Sequence, residues 1–90
     1  MKISINIPKY DYNGTEVFWE KGSKCEIFAD SEDVTIKGNR AALFSLAKQM
    51  LYFCYNEDLP YGTHVHLDDF FCKDGWYGPT LILEVLSDNL

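Results

Sequence analysis

The sequence predicts an α+β fold: two layers, with a mostly antiparallel sheet of about five to six strands in the order ββββαββ, covered on one face by a single long helix. Three observations carry that expectation. Apolar residues alternate with period two in several short stretches, which is the signature of half-buried strands. One stretch, 40–55, instead spaces its apolar residues by three and four, as a helix does. Short turn signals separate the alternating stretches, which favours antiparallel neighbours over crossovers.

Taken in order, Ile3, Ile5 and Ile7 alternate with Lys2, Ser4 and Asn6, and Pro8 ends this first predicted strand. Tyr10 to Gly14 reads as a loop with an Asn13-Gly14 turn, leading into Thr15 to Glu20, a β-branched and aromatic run predicted as the second strand. After Lys21-Gly22-Ser23, the stretch Lys24 to Ala29 alternates again with Cys25, Ile27 and Ala29 on one face. Asp30 to Asp33 then turns the chain into Val34 to Lys37. Asn39 is a good N-cap for a helix over Arg40 to Tyr55. There Leu43, Leu46, Ala47, Met50, Leu51 and Cys54 are expected to face the sheet, and Ser45, Lys48, Gln49, Tyr52 and Asn56 to face water. Asn56 to Gly62 forms a return loop, Thr63 to Leu67 a strand and Phe70 to Pro79 a long loop. Thr80 to Leu86 is the most apolar strand and is expected to be central. Asp88, Asn89 and Leu90 are expected to fray. The chain forms a single domain, 1–90, with no internal repeat or linker.

Composition narrows the function classes. The aromatic share of 16 % exceeds what so small a core needs, so some rings are expected at the surface, where they suit a partner. The net charge is −6, and it is localised. Residues 1–55 carry seven acids and seven bases, whereas residues 56–90 carry seven acids against Lys73 alone. Such a one-sided acidic field repels nucleic acid and anionic lipid and attracts a basic partner. No stretch approaches the roughly 18 apolar residues of a membrane span. The amino terminus shows neither an apolar leader core nor a small-residue cleavage site. Cys25, Cys54 and Cys72 are odd in number and lack a C-x-x-C pair, so they read as reduced thiols of a cytoplasmic protein.

The densest chemistry lies in Gly62-Thr63-His64-Val65-His66-Leu67-Asp68-Asp69. In an extended chain Val65 and Leu67 share the core face, which turns His64, His66 and Asp68 outward. Two imidazoles and a carboxylate so placed could hold Zn²⁺ or a similar ion, giving a small metal-binding protein or metal-dependent hydrolase. The string also resembles the H-x-H-x-D-H of metallo-β-lactamase-type hydrolases, but Asp69 takes the sixth position and the chain has only two histidines. Cys72 has no oxyanion loop or orienting partner around it, and Gly38-Asn39-Arg40 lacks the glycine spacing of a phosphate loop. No cofactor is expected.

A longer pattern joins several of these pieces. Val34-Thr35-Ile36-Lys37-Gly38-Asn39 leads into Leu43-Phe44-Ser45-Leu46-Ala47, followed by Gly62-Thr63-His64-Val65-His66-Leu67-Asp68 and the apolar strand Leu81-Ile82-Leu83-Glu84. This resembles a family of small immunity proteins from bacterial polymorphic toxin systems, with its V-x-I-x-G-N strand, L-x-x-L-A helix and G-x-H-x-H-L-D element. The resemblance covers Val34 to Val85 and leaves the first 33 residues uncovered. It implies a protein that binds a cognate toxin, such as a basic nuclease-type toxin, and blocks it without chemistry of its own. On that reading Glu57, Asp58, His64, His66, Asp68, Asp69, Asp74, Trp76 and Tyr77 are the candidate contacts. Trp76 and Tyr77 would be exposed anchors inside an acidic rim, unless Trp76 folds back onto the sheet edge. A bare sheet face would also offer a surface for homo-oligomers.

Overall fold

A computed structural model describes residues 1–88 and contains one helix and five strands in two mostly antiparallel sheets, an α+β fold. In chain order the elements are β1 (Cys25–Ala29), β2 (Val34–Gly38), α1 (Arg40–Tyr55), β3 (His64–Leu67), β4 (Trp76–Tyr77) and β5 (Leu81–Glu84). Of the three terminal residues expected to fray, Asn89 and Leu90 lie outside the described residues, and Asp88 sits exposed in a bend.

The β1–β2 hairpin forms where alternation and turn chemistry agree. Asp30 closes the turn by accepting from the backbone N–H of Asp33 at 2.7 Å and of Glu32 at 2.8 Å. Those two N–H donors hold its carboxyl below the usual carboxylate range. The register sets Ile27 opposite Ile36 and Cys25 opposite Gly38. Asn39 then caps α1 by accepting from Ala42 N–H at 3.0 Å. The same side chain accepts from Lys24 N–H and donates to the Gly22 carbonyl, so one residue ties the start of β1 to the start of the helix.

The sequence expectation of one continuous sheet gives way to two. β2, β1 and β4 form a three-stranded sheet, and β3 and β5 pair alone. β4 arises inside the stretch predicted as a loop, running parallel to β1 with Cys25 opposite Trp76. Glycines on either side allow that approach. A Cβ at Gly75 or Gly78 would strike the carbonyl oxygen of Ser23 or Ile27 respectively. β5, expected to be central, has a single strand neighbour.

The stretches Lys2 to Ile7 and Thr15 to Glu20 are not strands, so the observed order is ββαβββ. The second stretch is nonetheless served with hydrogen bonds, by helix side chains instead of a neighbouring strand. Phe18 N–H donates to Gln49 Oε1 at 3.0 Å and Glu20 N–H to Ser45 Oγ at 2.9 Å, while Gln49 Nε2 donates to the Glu16 carbonyl at 3.0 Å. Farther back, Tyr10 N–H donates to Asn56 Oδ1 at 2.8 Å and Asn56 Nδ2 donates to the Pro8 carbonyl at 3.1 Å. Glu16 N–H also donates to the Tyr52 hydroxyl at 3.5 Å, so the strap 8–20 lies along α1 and is read by Ser45, Gln49, Tyr52 and Asn56, neutral polar residues spaced 4, 3 and 4 apart.

That stripe rotates the helix away from its expected orientation, although Leu46 is buried in the core as expected. Ser45, Gln49 and Tyr52, predicted to face water, are at most 1 % exposed. Leu43 and Met50, predicted to face the sheet, are 49 % and 47 % exposed, and Ala47 and Cys54 are exposed beside them. The physical reason is that backbone N–H and C=O groups of the strap require partners once covered, and a hydrocarbon face has none to offer. The core itself gathers Cys25, Ile27, Ala42, Leu46, Val65, Leu67, Cys72 and Trp76, with Trp19 and Phe53 packed against it.

Candidate functional site

β3 places its side chains as alternation requires. Val65 and Leu67 are buried, while His64 and His66 point outward with ring centroids 5.0 Å apart. Pairing with β5 sets His64 opposite Glu84 and His66 opposite Ile82 on the outer face. His64 Nδ1 lies 2.8 Å from the Gly62 carbonyl, which makes it the donor there, and 3.8 Å from Glu84 Oε1.

Asp68 parts company with the histidines. Its Oδ1 accepts from Phe70 N–H at 3.1 Å and Phe71 N–H at 3.2 Å, and its Oδ2 accepts from Thr80 Oγ1 at 3.3 Å. It organises the turn after β3, and the outward H-x-H-x-D triad expected from the sequence is not assembled. The strand ends at Leu67, so period-two geometry does not extend to residue 68. Among the described residues no group of three or more His, Cys, Asp or Glu side chains is arranged to hold a metal ion. Replacing Asp68 with alanine is expected to lower stability by roughly 1–2 kcal/mol through three lost acceptor contacts. Asp69→Ala should change it by less than about 0.5 kcal/mol. Urea midpoints of the two variants compare them directly.

Cys72 is buried, and that burial pushes its thiol up to about 11. A thiol held that high is protonated at neutral pH, and a protonated thiol is not a nucleophile. Trp76 also belongs to the interior. It is 5 % exposed, packs on Trp19 at 5.6 Å between centroids, and donates its indole N–H to the Pro79 carbonyl at 3.0 Å. Its assignment as an exposed anchor is therefore corrected, because pairing of β4 with β1 turns the ring into the core. Neighbouring Tyr77 faces the other way and is 58 % exposed.

The remaining candidates separate into two ends. At the C-terminal end of α1, Glu57 and Asp58 follow the helix directly. The loop after them is clamped to the end of β5 by Gly62 N–H to the Val85 carbonyl and Val85 N–H to the Thr63 carbonyl, both at 2.8 Å. Glu84 and Asp88 are thereby brought to the same end. The negative charge of Asp58 raises the Tyr12 phenol above its ordinary range. At the opposite end, Asp74 shares a hollow with Lys21, Lys24 and Lys73, and Tyr77 shares one with Lys24 and Lys37. The acidic excess of the sequence thus persists at the first end, where Lys9 is the cation that shares a hollow with Glu57 and Asp58. At the other, lysines from the first 55 residues offset it.

Sequence reasoning missed Tyr55 and Tyr61, both strongly exposed near Glu57, and the exposed Met50 and Leu86. A signal existed. Ser45, Gln49, Tyr52 and Asn56 carry no charge and repeat with the same spacing as Leu43, Ala47, Met50 and Cys54, so either row fits a buried helix face.

Surface rings and carboxylates, Tyr55, Glu57, Asp58 and Tyr61, thus stand together at the C-terminal end of α1 in a small α+β protein. The chain belongs to the immunity protein 32 family, whose model matches residues 33–87. No curated protein and no solved structure matches it. The family match begins one residue before β2 and takes in α1 and β3 to β5, leaving the strap and β1 outside. No helix among the described residues is long and apolar enough to cross a membrane.

Proposed function

We propose that this protein binds a cognate bacterial toxin in the cytoplasm and neutralises it by occlusion, without catalysis. The observation that carries the reading is membership of the immunity protein 32 family across residues 33–87. Charge supports it. A net −6 protein captures a basic partner faster than a neutral one does, and a toxin that grips phosphate, such as a nuclease, presents a basic face. Of the residues first nominated, Glu57, Asp58, His64, His66, Asp69, Asp74 and Tyr77 retain the exposure a contact needs.

The test is co-expression in bacteria with the toxin domain encoded by the neighbouring gene. Growth should be restored when both are present and arrested by the toxin alone, and the two should co-purify in a salt-sensitive complex. A toxin that still arrests growth in the presence of the folded protein would exclude this function for the pair.

A further inference from the structure

One groove on this molecule combines an apolar floor with a rim of a single charge sign. It runs between the C-terminal half of α1 and β5. Two adjoining hollows make it up, of about 390 and 440 Å³, and they share Phe53, Cys54 and Val85. Met50 and Leu83 extend the floor at one end and Leu86 at the other. The charged residues lining it are Glu57, Glu84 and Asp88, with no lysine or arginine among them.

Two further facts bear on what fills it. The last turn of α1 carries no basic residue, so the negative end of the helix dipole and the carboxylates of Glu57 and Asp58 add at the same place. That arrangement is locally unfavourable and is relieved by a cation; Lys9 shares a hollow with Glu57 and Asp58 on the strap side, and no lysine or arginine lines the groove side. Among the described residues β5 pairs with β3 alone, so a strand-like segment of a partner has an edge to add to.

Resting on the immunity reading above, we propose that this groove is the toxin-docking site. Its occupant is a segment of the toxin that presents apolar side chains flanked by lysine or arginine. Apolar residues fill the floor over Met50, Phe53 and Val85, and the cations meet Glu57, Glu84 and Asp88. Charge argues against a second copy of this chain as the occupant, because it would bring another net −6 to an acidic rim. It argues against nucleic acid for the same reason.

The experiment uses the full chain and the toxin domain encoded beside it, with binding followed by surface-immobilised kinetics at low and moderate salt. Met50→Ala tests the floor and the triple variant Glu57→Gln/Glu84→Gln/Asp88→Asn tests the rim. A matched triple, Glu26→Gln/Glu32→Gln/Asp33→Asn, removes the same charge from the β1–β2 hairpin. All seven side chains are exposed, so the folds should survive, and circular dichroism checks that they do. The groove variants are each expected to weaken binding on the order of tenfold, with the rim variant losing association rate and salt dependence. The hairpin variant should stay within about twofold. Wild-type affinity in both groove variants, or an equal loss in the hairpin variant, would place the contact elsewhere and overturn the groove while leaving the immunity function standing. Failure of the wild-type protein to bind would instead remove the immunity reading for that pair, and the groove assignment with it.

Discussion

Trp76→Ala is expected to destabilise the protein by roughly 3–5 kcal/mol, the range for removing a large aromatic from a core. Its indole packs on Trp19, belongs to the main buried cluster and donates to the Pro79 carbonyl, so truncation opens a cavity and removes a hydrogen bond together. Tyr77→Ala, one position along the chain but outward-facing, should change stability by less than about 0.5 kcal/mol. Urea unfolding followed by tryptophan fluorescence and circular dichroism compares the two. A Trp76→Ala protein as stable as the wild type would return that ring to the surface as a binding anchor. The expected result makes any loss of toxin protection in this variant a consequence of folding. For a 90-residue chain with only a few kcal/mol to lose, that distinction decides how a growth assay is interpreted.

The second large effect is expected at Gln49. Leucine matches glutamine closely in size but cannot accept from Phe18 N–H or donate to the Glu16 carbonyl. Two strap groups would lose partners in a partly buried setting, at roughly 1–2 kcal/mol each, so Gln49→Leu should cost about 2–4 kcal/mol. Leu43→Ala, on the helix row first expected to be core, should cost less than about 1 kcal/mol because the side chain is already half in water. Denaturant midpoints should therefore rank a polar helix residue above an apolar one. Hydrogen exchange at Phe18 and Glu20 should accelerate in Gln49→Leu while exchange in the β1–β2 hairpin holds, since the hairpin's bonds are its own. The reverse ranking would mean that the strap does not depend on the helix stripe.

These two predictions also show where the residues spoke clearly and where they did not. The β1–β2 hairpin, the Asn39 cap, the limits of α1 and the outward turn of His64 and His66 were all legible, because each follows from neighbours in sequence. An alternating strand, an Asx turn and a helix cap are local arrangements. Thr15 to Glu20 was legible as extended, yet its partner was not, because an extended backbone can satisfy its hydrogen bonds on a strand or on polar side chains with equal geometry. Trp76 was open for a related reason. Its side depends on β4 lying against β1, a contact between segments about fifty residues apart that is signalled only by Gly75 and Gly78 nearby.

The acidic character of residues 56–90 was visible from composition, and its organisation was not. The chain order groups Glu57, Asp68, Asp74 and Asp88 together, whereas folding sends Asp68 into a turn and surrounds Asp74 with lysines from the other half. Glu57, Asp58, Glu84 and Asp88 remain together at one end, with Lys9 beside the first two, next to apolar groups that helix periodicity had assigned to the core.

By itself, then, the sequence determined the fold class, the helix and its cap, the hairpin, the face of β3 that enters the core and the sign of the surface field. The tertiary structure alone decided which row of α1 is buried, how the strands divide into two sheets, that Trp76 is internal and where the acidic field meets an apolar groove. The division has one physical cause. Local features are set by dihedral preference and by hydrogen bonds between near neighbours, while burial is set by whichever distant segment must have its backbone groups satisfied, and here the strap claimed Ser45, Gln49 and Tyr52 and left Leu43, Ala47, Met50 and Cys54 open.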